Sequence, residues 1–197
     1  MNIKLNGQEI ELKPENEITI GDVLGNIEEA CRQKQNTITQ VCANGKELTL
    51  NELDELFKKP IQEDIRIELF TTSGNEIKEL LKELGQIFIK NSDEIENIPI
   101  KLQTGNDVEV IKIIEEFSLN LTKLYSTAKL FDITDINEDF LFGDMTLGEY
   151  QKEIASHLDS IIHAIEDTDT VEISDIAEYE LAPLVKKLGN GLLSIKA

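Results

Sequence analysis

Two periods of hydrophobicity divide the chain. Over residues 1–72 apolar positions alternate in short runs, and over residues 73–197 they recur at helical spacing. The first runs are Ile3 and Leu5, then Ile10 and Leu12, on either side of Asn6-Gly7. A type I′ turn needs positive φ at both central residues. Asn tolerates that and Gly adopts it freely, so the pattern predicts a β-hairpin, ended by Pro14. Thr19 and Asp22 have capping-box spacing, and Val23, Leu24, Ile27, Ala30 and Cys31 follow on one face of a predicted helix. Residues 38–43, ITQVCA, predict a third strand turned by Asn44-Gly45. Asn51 is placed to cap a short helix that turns Leu53, Leu56 and Phe57 inward and ends at Pro60. Residues 65–70, IRIELF, alternate Ile65, Ile67 and Leu69 with Arg66 and Glu68, a fourth strand.

Ser73 and Glu76 form a second capping box directly after that strand, and Ile77, Leu80, Leu81, Leu84, Ile87 and Phe88 continue as a helical stripe. Almost no linker intervenes, so the two parts are expected to abut. Pro99 falls in a stretch predicted to be irregular, ENIPIKLQTGND. A second helix is predicted from about Asn106, with Val110, Ile111, Ile114, Phe117, Leu121, Leu124, Tyr125 and Ala128 facing inward. FDITDINEDFLFGDM breaks the pattern. Thr146 and Glu149 open a third helix, lined by Leu147, Tyr150, Ile154, Leu158, Ile161, Ile162 and Ile165. The fourth, SDIAEYELAPLVKKLGNGLL, contains Pro183, which predicts a kink costing about 3 kcal/mol unless compensated. The fold class expected is α+β, with residues 1–72 as one domain and residues 73–197 as a four-helix bundle.

The series MNIKLNGQEIEL, TIGDVL, VCANGKEL and EDIRIELF resembles the β-grasp, or ubiquitin-like, fold, and in its paired Asn-Gly turns it is similar to the sulfur-carrier branch. The resemblance spans about residues 1–72 and implies a sheet wrapped on one helix. Sulfur carriers and conjugated modifiers end in a Gly-Gly tail whose carboxylate is activated. Here the last strand runs on into FTTSGNEIKELL, LLSIKA holds no Gly-Gly, and Gly189 and Gly191 lie within a helical pattern. The resemblance therefore implies a docking platform without the carboxylate chemistry, and fold alone does not license a function. EYELAPL is similar to a stretch of uncharacterised bacterial helical proteins, which implies no activity.

Charge narrows the classes. The net charge is -20, from 39 acidic and 19 basic residues among 197. Such a surface repels nucleic-acid phosphate and anionic membranes, so neither is expected as a partner; it favours a basic protein partner, or simply solubility. With hydrophobic residues at 40%, a packed core is expected. No apolar run is long enough to span a bilayer. Met1 leads straight into strand-like sequence, so no signal peptide is expected, and the cytoplasm is the compartment predicted. Cys31 and Cys42 form no CxxC and are expected as free thiols, Cys31 in the core.

No motif for catalysis, metal or phosphate emerges, and no catalytic, cofactor-binding or metal residue is assigned. The histidines, His157 and His163, sit in SHLDSIIHA, which lacks the Lys that a phosphotransfer helix places near its phosphate, and Asp159 would repel the group. Asp159 and His163 share one helix face, but no Glu-x-x-His pair accompanies them. GNG at 189–191 lacks the spacing of a phosphate loop. What stands out is NEDFLFGDM, 137–145. Aromatic residues are 5% of the chain, and Phe140, Leu141 and Phe142 cluster in a predicted loop, where they either plug a core or contact a partner. A non-enzymatic interaction or adaptor protein is the reading these features favour. The alternative is an acidic regulator that masks a basic nucleic-acid-binding or enzyme surface.

Overall fold

The computed structural model describes residues 1–11, 17–61 and 64–196, and the expectations for Leu12 and Pro14 lie outside them. The chain divides into two compact units, Met1–Glu76 and Ile77–Ala197.

In the first unit the hairpin forms from β1 (Asn2–Leu5) and β2 (Gln8–Ile10), followed by helix α1 (Ile20–Arg32). Strands β3 (Asn36–Ala43) and β4 (Lys46–Glu47), helix α2 (Leu50–Phe57) and strand β5 (Arg66–Ser73) complete the unit. The sheet is five-stranded and mixed, in the order β2-β1-β5-β3-β4, with β1 and β5 parallel. Its register sets Ile3 beside Ile67 and Leu5 beside Leu69. Ile3, Ile67 and Leu69 are buried, in one core with Ile20, Val23, Leu24, Ile27 and Cys31 of α1.

Both Asn-Gly turns take positive φ at both residues: 49° and 81° at Asn6-Gly7, 51° and 81° at Asn44-Gly45. The asparagines do more than turn the chain. Asn44 Oδ1 accepts from the Arg66 N–H (3.1 Å) at the start of β5, and Asn6 Oδ1 accepts from the Thr71 N–H (3.0 Å) near its end. The repeated turn thus clamps both ends of the central strand. Glycine at either Asn position would keep the turn and lose the clamp.

The Thr19–Asp22 capping box is present: the Thr19 N–H donates to Asp22 Oδ2 (2.8 Å) and the Asp22 N–H to Thr19 Oγ1 (3.2 Å). The cap expected at Asn51 is instead Thr49, paired with Glu52 in a full capping box that starts α2 at Leu50. Asn51 thereby falls inside the helix. Of the residues expected inward on α2, Leu56 is buried, whereas Phe57 is 38% exposed.

The remainder of the chain is helical: α3 (Gly74–Glu96), α4 (Ile98–Gln103), α5 (Asp107–Ala128), α6 (Leu147–Glu166), α7 (Thr170–Asp175) and α8 (Ala182–Leu193). The count expected was four. Two short helices account for the difference. The stretch around Pro99 forms α4, because a proline in the first turn gives up no needed N–H. The helix expected around Pro183 is divided into α7, a π-helical stretch Ile176–Leu181, and α8. Within it the Ala182 N–H donates to the Ala177 carbonyl, five residues back. The wider turn is the physical answer to the kink expected at Pro183, whose ring would otherwise strike the preceding turn.

One core gathers Ile77, Leu81, Leu84 and Phe88 of α3, Phe117 and Leu124 of α5, Tyr150 and Ile154 of α6, and Val185, Leu188 and Leu192 of α8. Helices α3 and α8 approach backbone to backbone: a Cβ added at Gly85 or at Gly189 would stand 2.9 Å from the other's carbonyl oxygen. The stripes of α5 and α6 both face inward as expected except at their edges. On α5, Ile113 is buried and Ile111 is 48% exposed; on α6, Ile161 and Ala164 are buried, and Ile162 and Ile165 are 51% and 40% exposed. Among the described residues no helix is long and apolar enough to cross a membrane.

Candidate functional site

Between α5 and α6 the chain makes a single 3-10 turn, Phe131–Ile133, and then the loop that carries Phe140, Leu141 and Phe142. These three have different fates. Phe142 is buried, with its ring 5.0 Å from that of Phe140 and 6.3 Å from that of Phe131. Its backbone is held on three sides. The Phe142 N–H donates to the Met145 carbonyl (2.8 Å), the buried Tyr150 hydroxyl donates to the Phe142 carbonyl (3.0 Å), and Gly191 of α8 lies flush against it. Phe140 is half-buried, and Leu141 is 55% exposed. Lys187 Nζ reaches Asp144 Oδ2 at 3.3 Å, which holds the Asp144 carboxyl below its ordinary range. The aromatic cluster therefore acts mainly as a plug, and Leu141 beside it is exposed.

The plug fixes the preceding residues beside a groove of about 1020 Å³. Tyr125 and Ala128 from the end of α5, Phe131 and Ile136 from the connection, and Leu147 from the start of α6 make its apolar wall. The exposed carboxylates Asp132, Glu138 and Asp139 stand at its rim, with Lys129 as the lining cation. Helix α6 begins at the groove because Thr146 and Glu149 form a capping box: the Glu149 carboxylate accepts from the Thr146 N–H at 2.7 Å. That bond draws the Glu149 pKa down. Tyr125 Oη is the one buried side-chain polar atom among the described residues that lacks a hydrogen-bond partner. Burial pushes its pKa up to about 12, so the phenol stays protonated and its donor is unspent. A buried polar group left unpaired costs about 1–3 kcal/mol.

Elsewhere the titratable groups are engaged locally. His157 Nδ1 lies 2.9 Å from Glu180 Oε2, and His163 Nδ1 lies 2.8 Å from the Asp159 carbonyl oxygen. The Asp159 backbone contact, then the Asp159 charge, raise the pKa of His163. Among the described residues no three His, Cys, Asp or Glu side chains converge as a metal site would require. Cys31 is buried, burial pushes its thiol pKa up, and it lines a hollow of about 500 Å³ in the first unit with Leu5, Ile10, Ile27 and Ala30. A thiol in that setting is a poor nucleophile.

The sequence pattern pointed to the loop but not to the groove beside it. Tyr125, Ile136 and Leu147 read as ordinary stripe or loop residues until the α5–α6 turn brings them together.

An α+β chain with a mixed sheet ahead of a helical region is thus defined by its fold, and comparison with known proteins supplies the family. Residues 1–73 match the profile described as the TP0873 N-terminal domain. Residues 79–191 match that of a domain of unknown function, DUF8042, and the chain belongs to this family. It is also similar to a protein of Treponema pallidum (strain Nichols) described as an uncharacterized protein, with 37% identity over 193 residues, covering 98% of this chain and 96% of the relative. No solved structure matches the chain.

Proposed function

We propose that the protein is a non-enzymatic interaction or adaptor protein of the cytoplasm, and that the groove beside the 137–145 loop receives an apolar and basic segment of a partner protein. The observation that carries this reading is an apolar groove walled by Tyr125, Phe131, Ile136 and Leu147 and rimmed by the carboxylates of Asp132, Glu138 and Asp139. An apolar wall supplies affinity, and a rim of one charge sign supplies orientation and choice of partner. The partner implied is a protein with Lys or Arg flanking apolar residues. A chain of net charge -20 gives no reason to expect nucleic acid or an anionic membrane.

The first unit is read as a β-grasp platform. Support comes from the strand order, the parallel central pair β1–β5 and the single long helix sharing its core. Strand β5 passes directly into α3 through the Ser73–Glu76 capping box, which favours a docking role over a transferable tail. The charge-mimic alternative has less support. Asp22, Glu52, Glu76, Glu149 and Asp169 each accept a backbone N–H at a helix start and are committed to folding.

The test is affinity capture from native lysate at moderate salt with the full chain and with a Glu138→Lys/Asp139→Lys variant. A stoichiometric protein recovered by the first and lost by the second is the expected result. No stoichiometric partner, or equal recovery by both, would overturn the reading.

A further inference from the structure

Four isoleucines of α5 and α6, three of them facing away from the core, lie together. Ile111 and Ile114 of α5 and Ile162 and Ile165 of α6 line a hollow of about 300 Å³ between the two helices. A second hollow of about 130 Å³ adjoins it, sharing Ile111 and Ile165 and reaching Ile173. Ile111, Ile162 and Ile165 are all at least 40% exposed. An apolar patch assembled from two helices, unlike scattered surface leucines, calls for an occupant.

The same two helices border the groove of the proposed site, but at their other ends. That groove uses Tyr125 and Ala128 near the end of α5 and Leu147, Gly148 and Gln151 at the start of α6. The hollow uses the beginning of α5 and the end of α6. The helices therefore run antiparallel along one seam, with the sites about four turns, or roughly 21 Å, apart along α5. The intervening seam positions, at steps of three and four residues, are Ser118 and Thr122 on α5 and Ala155 and Leu158 on α6. Ser118 and Ala155 are small side chains.

Resting on the reading above, we infer that the whole α5–α6 seam is one docking groove, whose occupant is an amphipathic helix of roughly 15 residues from a basic partner. A helix laid between two helices fills the seam with apolar side chains at i, i+3, i+4 and i+7. Its flanks meet carboxylates at both ends: Glu115 and Glu166 beside the isoleucines, and Asp132, Glu138 and Asp139 at the groove. Lys or Arg on those flanks is the complementary chemistry. A second copy of the chain does not fit. Pairing like faces would set Glu115 and Glu166 against their own counterparts, between molecules that each carry a net charge of -20.

The probe is a fluorescein-labelled amphipathic Leu/Lys peptide of roughly 18 residues, compared with a half-length version and with a scrambled peptide of equal charge, each titrated by anisotropy into the full chain. The long peptide is expected to bind best, and Ile111→Ser and Ile162→Ser to weaken it about tenfold each without shifting the thermal melt. Glu115→Gln/Glu166→Gln is expected to weaken it and flatten its salt dependence. Equal binding of the scrambled peptide would leave only bulk charge and overturn the inference. If the half-length peptide binds as tightly as the long one and only groove variants such as Glu138→Lys/Asp139→Lys matter, the seam falls and the groove stands. If no peptide binds and Glu138→Lys/Asp139→Lys changes nothing in lysate capture, both fall. Concentration-dependent dimerisation abolished by Ile111→Ser would make a second copy the occupant, against the inference.

Discussion

Gly191 of α8 offers the sharpest test of how the 137–145 loop is held. A Cβ built on it would stand 2.4 Å from the Phe142 carbonyl oxygen, 2.5 Å from the carbonyl carbon and 2.8 Å from Phe142 Cβ. The neighbours are backbone and cannot rotate away, so Gly191→Ala must push the loop or the helix by about 1 Å to restore ordinary carbon–oxygen contact. Moving the loop stretches the hydrogen bond from Tyr150, with a net value of about 0.5–1.5 kcal/mol. It also lifts Phe142 partly from a site whose full burial is worth about 1.5–3 kcal/mol. Against this, alanine is favoured over glycine inside a helix by about 1 kcal/mol. The balance is a net destabilisation of about 1–3 kcal/mol.

The assay can isolate the unit concerned. All three tyrosines, Tyr125, Tyr150 and Tyr179, lie within Ile77–Ala197, and the chain has no Trp. Tyrosine fluorescence during urea unfolding therefore follows that unit alone, while far-UV circular dichroism follows both. Gly25→Ala is the control: it lies in α1, with nothing within 4 Å of an added Cβ, and should stabilise the first unit by about 0.5–1 kcal/mol. A tyrosine-detected midpoint for Gly191→Ala at or above that of the parent chain would refute the account of the plug.

Tyr125→Phe removes a hydroxyl that makes no hydrogen bond within the protein, so stability should hold or rise by about 1 kcal/mol; a clear loss of stability in urea would show that the hydroxyl is already paired. Thr168 is β-branched and sits at φ 59°, so Thr168→Asn, which tolerates that region, should raise stability by about 1 kcal/mol, read as a higher urea midpoint, and a lowered midpoint would refute strain there. The capping carboxylates Asp22, Glu52, Glu76 and Glu149 are all held below their ordinary pKa, Glu52 at about 2 through its bonds to Lys46 and Thr49. For lowered carboxylates the stabilisation is complete above the unfolded value, 4.5 for Glu, and disappears as pH falls through the folded value. Through these carboxylates urea midpoints should decline below about pH 4.5, and Glu52→Gln should remove part of that decline.

Local rules that need only neighbouring residues were readable. Asn-Gly between alternating apolar residues specifies its turn, and Ser or Thr three residues before Asp or Glu specifies a helix start, at Thr19, Ser73 and Thr146 alike. The short helix failed by the same logic. Thr49 with Glu52 is a better box than Asn51 alone, but Leu50 between them is 82% exposed and hid the amphipathic start. The clamp of Asn6 and Asn44 on β5 was out of reach, because its partners lie 65 and 22 residues away. The disturbance at Pro183 is legible in the sequence, and its form, a π-helical stretch over Ile176–Leu181, is not. A π-helical turn depends on which face the core takes, and Ile176, Ala177 and Leu181 are all drawn into it.

The seam shows why a docking face escapes periodicity. On α5 the apolar residues Val110, Ile111, Ile113 and Ile114 fall in almost unbroken succession, and on α6 so do Ile161, Ile162, Ala164 and Ile165. Such runs cover a wider arc than one core can use, and a 3.6-residue period cannot say which part of the arc is covered. The folded chain divides them: Val110, Ile113, Ile161 and Ala164 go inward, while Ile111, Ile162 and Ile165 are left out and Ile114 half out. An exposed isoleucine stabilises nothing in the isolated chain and raises the risk of aggregation. Its presence on both helices, on the sides that meet and beside acids alone in the hollow, is explained if another surface completes the packing. The excess width of the apolar arc, invisible as long as every apolar residue is assumed to face inward, is the physical trace of that missing surface.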